Sequence, residues 1–282
     1  MTTTTLYAWV NPVGAGDTGF IQQAPRLSAL VDHTWVTSYD NREHAYPTIQ
    51  DVLAQQQQYW YCWGVFHPSG QSKTSPGGYA GQAQADLAHA SCLCLPNQAS
   101  NDNPPAQGTI FRYAINGVCH QLANQVLWAT GSASTAPLTV RIARGYWLST
   151  ALYGTYGRNW LSNAWEEKKN ACAVGAALVA AHESDDFAAR VHATLGEALT
   201  AAARDGVLQF REAAVAKIAA IAARETLRAD AATTQAEGAE INRIALEFQD
   251  NAAKALDPEQ YRQIFELDPD ERLTVVDPAM LA

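Results

Sequence analysis

No proline occurs between Pro137 and Pro258, and from about residue 160 the chain is dominated by Ala, Glu, Arg and Leu. Proline inside a helix removes a donor and clashes with the preceding turn, at about 3 kcal/mol. So long a stretch without it, built from strong helix formers, predicts long helices. The preceding residues are rich in Trp, Tyr, Gly and Pro and are broken into short β-like runs. Two regions result: a mixed region over about 1–160 and a mostly α-helical region over 161–282. Strands and helices mix without regular alternation in the first, so the fold class is α+β rather than a doubly wound sheet.

The runs 6–10 (LYAWV), 31–39 (VDHTWVTSY) and 59–66 (YWYCWGVF) are β-branched and aromatic and predict strands, with 109–114 and 138–143 (LTVRIA) as further ones. Residues 48–57 and 80–90 read as short helices, and 96–108 as a loop. Apolar residues at 118, 122, 126 and 127 fall at helical spacing behind Gly117, which puts Cys119 in a helix's first turn. Farther on, Ser184, Asp185 and Asp186 cap a helix running toward Arg204, which Asp205 and Gly206 end. A stripe at 207, 208, 210, 214, 215, 218 and 221 marks a helix over about 207–229, and another covers about 233–256. Asp257 and Pro258 then open a short helix ending near Leu267. Such stripes pack a helical bundle, and their alanine density also offers a coiled-coil route to a homo-oligomer.

With 28 acidic against 19 basic residues and a net charge of −9, the chain lacks the clustered Lys and Arg that phosphate contacts need, which argues against nucleic acid. No apolar stretch reaches the roughly 20 residues that span a bilayer. The start MTTTTLYAWVNP lacks the charged opening and apolar block of a signal peptide. A cytoplasmic location is therefore the default expectation, with signal-independent export leaving the same sequence appearance. The five cysteines (Cys62, Cys92, Cys94, Cys119, Cys172) are odd in number and irregularly spaced, which predicts free thiols in a reducing compartment.

Cys119 carries the strongest chemical signal. A thiol attacks as thiolate, and a helix N-terminus favours the anion through its unpaired N–H groups and dipole. The same N–H groups can stabilise an oxyanion. His33 lies in a β-like run, a rigid mount from which an imidazole could face a nucleophile. His44 follows after the turn Asp40-Asn41-Arg42, placed to orient His33, the third role in a nucleophile–base–orienter set. His67, ending the third apolar run, competes for that role.

The stretch HTWVTSYDNREH (33–44), followed by GVCHQLAN (117–124) at a helix start, resembles the circularly permuted papain-like hydrolases. These include the lecithin retinol acyltransferase group and bacterial NlpC-type amidases. The resemblance covers about residues 30–130. It implies a permuted papain-like α+β domain with an antiparallel sheet, Cys119 as nucleophile, His33 as base and His44 as orienter. The reaction it implies is acyl transfer through an acyl-cysteine, on an amide or ester of a small-molecule, peptide or lipid-like substrate. The alternative is a non-enzymatic binding or assembly protein in which the Ala-rich helices associate and Cys119 is a core residue.

Other signals are weaker. Residues 14–19 (GAGDTG) fit G-x-G-x-x-G, but Pro25 interrupts the helix that a dinucleotide site requires, so no cofactor is expected. His89, Cys92 and Cys94, with Cys62 and His67 elsewhere, lack the paired C-x₂₋₄-C spacing of zinc sites, so no metal is expected. The run 166–169 (EEKK) reads as a solvated helix face.

Overall fold

The computed structural model describes residues 3–11, 29–40, 59–61, 78–94, 111–172, 185–196, 201–226, 233–277 and 281. Within them the fold is α+β, a four-stranded antiparallel sheet followed by a mostly helical C-terminal region. Strand β1 (Thr3–Asn11) is central, with β3 (His33–Thr37) on one side and β5 (Gly78–Asp86) on the other. Strand β4 (Tyr59–Tyr61) flanks β3. Trp9 pairs with Trp35 and Ala8 with Val36 across β1 and β3. Side chains alternate between faces along a strand, so the pairing sorts the sheet into two sets. Leu6, Ala8, Val10, Thr34, Val36 and Trp60 form one buried face, and Trp9, Trp35 and Thr37 are buried on the other. There the Trp9 indole donates to the Thr37 hydroxyl at 2.8 Å. Burial on both faces is why these runs are aromatic and β-branched without a polar alternate.

Residues 80–90, expected as a helix, divide in two. Pairing with β1 makes 78–86 a strand, and Gln84 Nε2 donates to Thr5 Oγ1 at 2.7 Å. The Asp86 carboxylate then accepts from the Ala88 and His89 N–H groups at 2.8 and 3.3 Å, capping α1 (Leu87–Leu93). Residues 111–114 are not a strand either. They enter a tight turn in which Ala114 N–H donates to the Gly117 carbonyl and Asn116 N–H to that of Arg112, both at 2.8 Å. That turn delivers α2 (Cys119–Leu127), as its apolar spacing predicted. The expected strand at 138–143 is extended and then turns, because side chains take its donors. Leu138 N–H bonds Thr130 Oγ1 at 2.9 Å and Val140 N–H bonds Asn124 Oδ1 at 3.0 Å.

Helix α3 (Tyr146–Tyr153) has no counterpart among the expected elements, and α4 (Asn163–Cys172) extends the helix face expected at 166–169. Gly145 opens α3 at φ +80°, and a Cβ there would stand 2.4 Å from Val31 Cγ1. Asp185 caps α5 (Asp186–Leu195), but the helix stops at Gly196, well short of Arg204. Asp205 and Gly206, expected as its end, lie inside α6 (Ala201–Thr226). Helices α7 (Gln235–Ala255) and α8 (Pro258–Phe265) have capping boxes at Thr234 and Asp257. Helix α6 buries Val207, Ala214, Ile218 and Ile221 and packs on α7, which buries Ile241, Ile244, Ala245 and Phe248. Among the described residues no helix is long and apolar enough to cross a membrane.

The helical region also reaches back to the sheet side. Strand β6 (Leu273–Thr274) pairs in parallel with β2 (Ala29–Leu30), and Val31 N–H donates to the Thr274 carbonyl at 3.0 Å. Two amides of α7 hold β6 and the residues after it. Gln249 Oε1 accepts from Leu273 N–H and its Nε2 donates to the Leu273 carbonyl, at 3.0 and 2.8 Å. Asn242 Oδ1 accepts from Val275 and Val276. Thr233 Oγ1 donates to the Tyr113 carbonyl, and Asp277 N–H donates to the Tyr113 hydroxyl. The C-terminal region thus braces both the approach to β3 and the turn before α2.

The expectation of free thiols is corrected at two positions. Cys92 of α1 and Cys172 of α4 form a disulfide with Cα atoms 5.5 Å apart, across 80 residues of sequence. The two helices pack together, which brings the cysteines within bonding reach although their spacing in sequence carries no pattern. Cys94 and Cys119 are buried free thiols. The run 166–169 lies on α4 as expected, except that Lys169 is 9% exposed, pairs with Glu166 and sits 4.6 Å over the Trp160 ring.

Candidate functional site

Cys119 is the first residue of α2, after Val118 in extended backbone. A glycine precedes Val118 because a Cβ at position 117 would lie 2.7 Å from Gln121 Cβ. Gln121 also completes the helix start, its Oε1 accepting from Val118 N–H at 3.0 Å. These contacts fix the thiol beside the head of β3, where the Cys119 S–H donates to the Asp32 carbonyl at 3.5 Å.

The polar side chains of α2 are turned inward and partnered. Gln121 Nε2 donates to the Gly154 carbonyl at 3.1 Å, Asn124 Nδ2 to that of Thr155 at 2.9 Å, and Gln125 Nε2 to that of Tyr156 at 2.5 Å. The helix thereby ties down the main chain at 154–156. His120 is fully buried between two partners, Asp32 O at 2.8 Å from Nε2 and Ser149 Oγ at 2.8 Å from Nδ1. A carbonyl only accepts, so Nε2 carries the proton, and Nδ1 faces the Ser149 hydroxyl, which also donates to the Tyr146 carbonyl at 2.9 Å. Burial lowers the imidazole from its ordinary 6.5 to about 4, against the support of the Asp32 carbonyl. His120 is therefore neutral at physiological pH, with both nitrogens engaged.

Burial likewise pushes the Cys119 thiol up to about 11. The neighbouring Thr34 and the main chain of His120 work against that rise, while the Asp32 charge adds to it. Cys94, a second buried free thiol, has burial pushing it to about 12 and donates to Gln125 Oε1 at 3.8 Å.

His33 opens β3 between Asp32, whose carbonyl accepts from the Cys119 S–H, and Thr34. Its imidazole stacks on Trp35, with ring centroids 5.7 Å apart. Strand alternation puts that pair on the face opposite the Thr34 hydroxyl. The structure therefore gathers Cys119, Asp32, Thr34, His120 and Ser149, and places the His33 ring across the strand from the thiol. His44 and His67 lie outside the described residues, as do Cys62 and the glycines of 14–19. Trp35, Tyr39, Trp60 and Trp128 are core residues. The Cys92 sulfur is committed to the disulfide.

Sequence reading did not single out Asp32, Thr34 or Ser149. Asp32 and Thr34 adjoin His33, and their adjacency to a histidine on a short strand was the available signal. Ser149 had none, being 29 residues from His120 on an unexpected helix. No family model, no curated protein and no solved structure matches the chain.

Proposed function

We propose that the chain is a cysteine-nucleophile hydrolase or acyltransferase, with Cys119 attacking the carbonyl of an amide or ester. The observation that carries this reading is a free thiol fixed in the first turn of α2 beside the head of β3, its S–H on the Asp32 carbonyl at 3.5 Å. A helix N-terminus favours a thiolate and, after attack, an oxyanion through its unpaired N–H groups and dipole. The thiol proton passes to a base, the sulfur–carbon bond forms and the leaving group departs with a proton. Water or another nucleophile then releases the acyl group from the cysteine. His33 is the proposed base, with His44 as its orienter and His67 as the competing third member. For His33 to act, its ring must turn from Trp35 around the head of β3 toward the Thr34 side. A permuted papain-like core and a small-molecule, peptide or lipid-like acyl substrate belong to the same proposal.

The test is release of p-nitrophenol from p-nitrophenyl acetate by wild type, Cys119→Ser and His33→Ala. Both variants are expected to lose activity by about a hundredfold or more. Equal rates in wild type and Cys119→Ser would sink the nucleophile. Loss in Cys119→Ser alone would keep Cys119 and dismiss His33.

One observation favours a second reading, a binding or assembly protein. Cys119 is 7% exposed, and burial holds its thiol protonated near neutral pH, as in an inert core cysteine. Association through the helical region would use faces other than the apolar stripe of α6, because that stripe already packs within the chain.

A further inference from the structure

We propose that Asp32 is a positioning residue for Cys119: its carbonyl seats the thiol, and its carboxylate stands as a like charge beside the thiolate. The proposal rests on Cys119 being the nucleophile. The Asp32 carbonyl accepts from both the Cys119 S–H and His120 Nε2–H, at 3.5 and 2.8 Å. One oxygen therefore joins the strand head carrying His33 to the helix start carrying the thiol. That oxygen is held from both directions along the chain. Asp32 N–H donates to the Arg144 carbonyl at 3.0 Å, and Asp32 Oδ2 accepts from Arg144 N–H at 2.9 Å. Val31, just before it, donates to Thr274 of β6. Asp32 is 6% exposed, and its carboxylate closes this two-bond link. A smaller residue would leave Arg144 N–H without its acceptor and free the carbonyl to drift from the sulfur.

Other titratable groups among the described residues lie on elements packed against the thiol. His120 is neutral, and Tyr146, whose ring lies 5.9 Å from it, is held protonated by burial. Tyr153 of α3 is likewise raised by burial and donates to the Ala114 carbonyl. His33 faces Trp35, and the Arg144 guanidinium pairs with Glu271. On α1, burial lowers His89 and raises Cys94. Tyr7, Tyr59 and Tyr61 belong to β1 and β4.

The test follows iodoacetamide alkylation of Cys119 against pH, read by peptide mass, in full-length wild type, Asp32→Asn and Asp32→Ala. Asparagine keeps an acceptor for Arg144 N–H and removes the charge. Its profile is expected to move to lower pH, with the rate at about pH 8 rising about threefold, the size of a half-unit fall in the midpoint. Asp32→Ala, losing the acceptor as well, is expected to alkylate faster than Asp32→Asn because the thiol is no longer seated. A profile for Asp32→Asn that superposes on wild type, or moves upward, overturns the proposal. So does equal alkylation of the two variants. Ester turnover on the same samples is read separately. If wild type turns over nothing while the profiles shift as stated, the acyl-transfer reading fails and the role of Asp32 stands.

Discussion

Helix α2 buries all 9 of its residues, including His120, Gln121, Asn124 and Gln125, whereas α6, 26 residues long, buries little beyond one apolar stripe. On the outer faces of α6 and α7 charged groups pair across the surface, as Lys217 does with Glu247 at 2.7 Å and Arg224 with Glu240 at 2.7 Å, while Arg211 of α6 reaches inward to the Ala151 carbonyl at 2.9 Å. In α2 each buried amide instead holds main-chain groups of a loop. Burying a polar group costs unless it is partnered, so α2 is committed to one arrangement of its neighbours while α6 tolerates many. The same commitment fixes Cys119 and His120 against β3. Where polarity is buried, position is being specified; where it is solvated, only packing is.

The contrast is broken most strongly at Asn124. Asn124→Leu keeps the volume but strands the Val140 N–H and the Thr155 carbonyl, and is expected to cost about 3–5 kcal/mol by urea denaturation. Next comes the covalent tie between α1 and α4. Opening the 80-residue loop by Cys92→Ala with Cys172→Ala is expected to cost about 3–4 kcal/mol through the freed unfolded chain. A loss within about 0.5 kcal/mol of zero would mean the pair is reduced in the purified protein.

A third difference is one of pH. The fold holds His120 neutral, with its value lowered to about 4 from 6.5. The unfolded chain therefore takes up this proton first, and the contribution is full above pH 6.5 and lost as pH falls toward 4. Wild type is expected to lose on the order of 2–3 kcal/mol over that window through this site. In His120→Gln, which keeps one donor and one acceptor but gains no proton, the acid slope of the denaturation curve should flatten. Smallest is Lys217→Ala on α6, which removes an exposed ion pair and is expected to change stability by about 0.5 kcal/mol, less in high salt.

Local chemistry was readable in the sequence. The helix start at Cys119, the caps at Asp185 and Asp257, and strands β1 and β3 all announce themselves through adjacent residues. What depends on distant partners was not. Residues 138–143 look like a strand until Asn124 and Thr130 take the N–H groups of 140 and 138. Residues 80–86 resemble a helix in composition and become a strand because β1 offers an edge. Gly206 looks like a stop and lies inside α6, where flanking packing outweighs its roughly 1 kcal/mol helix penalty. At the site, Cys119 was legible from its helix position, while the Asp32 carbonyl, as main chain, has no signature of its own. The face taken by His33 follows from the register of β3, which one residue of slip would reverse.

The most direct measurement is intact-protein mass after brief exposure to p-nitrophenyl acetate and acid quench, followed by peptide mapping. The account predicts one acetyl group on Cys119, formed faster than on Cys94 and absent in Cys119→Ser. An unmodified Cys119, or acetylation no faster than at Cys94, would contradict it.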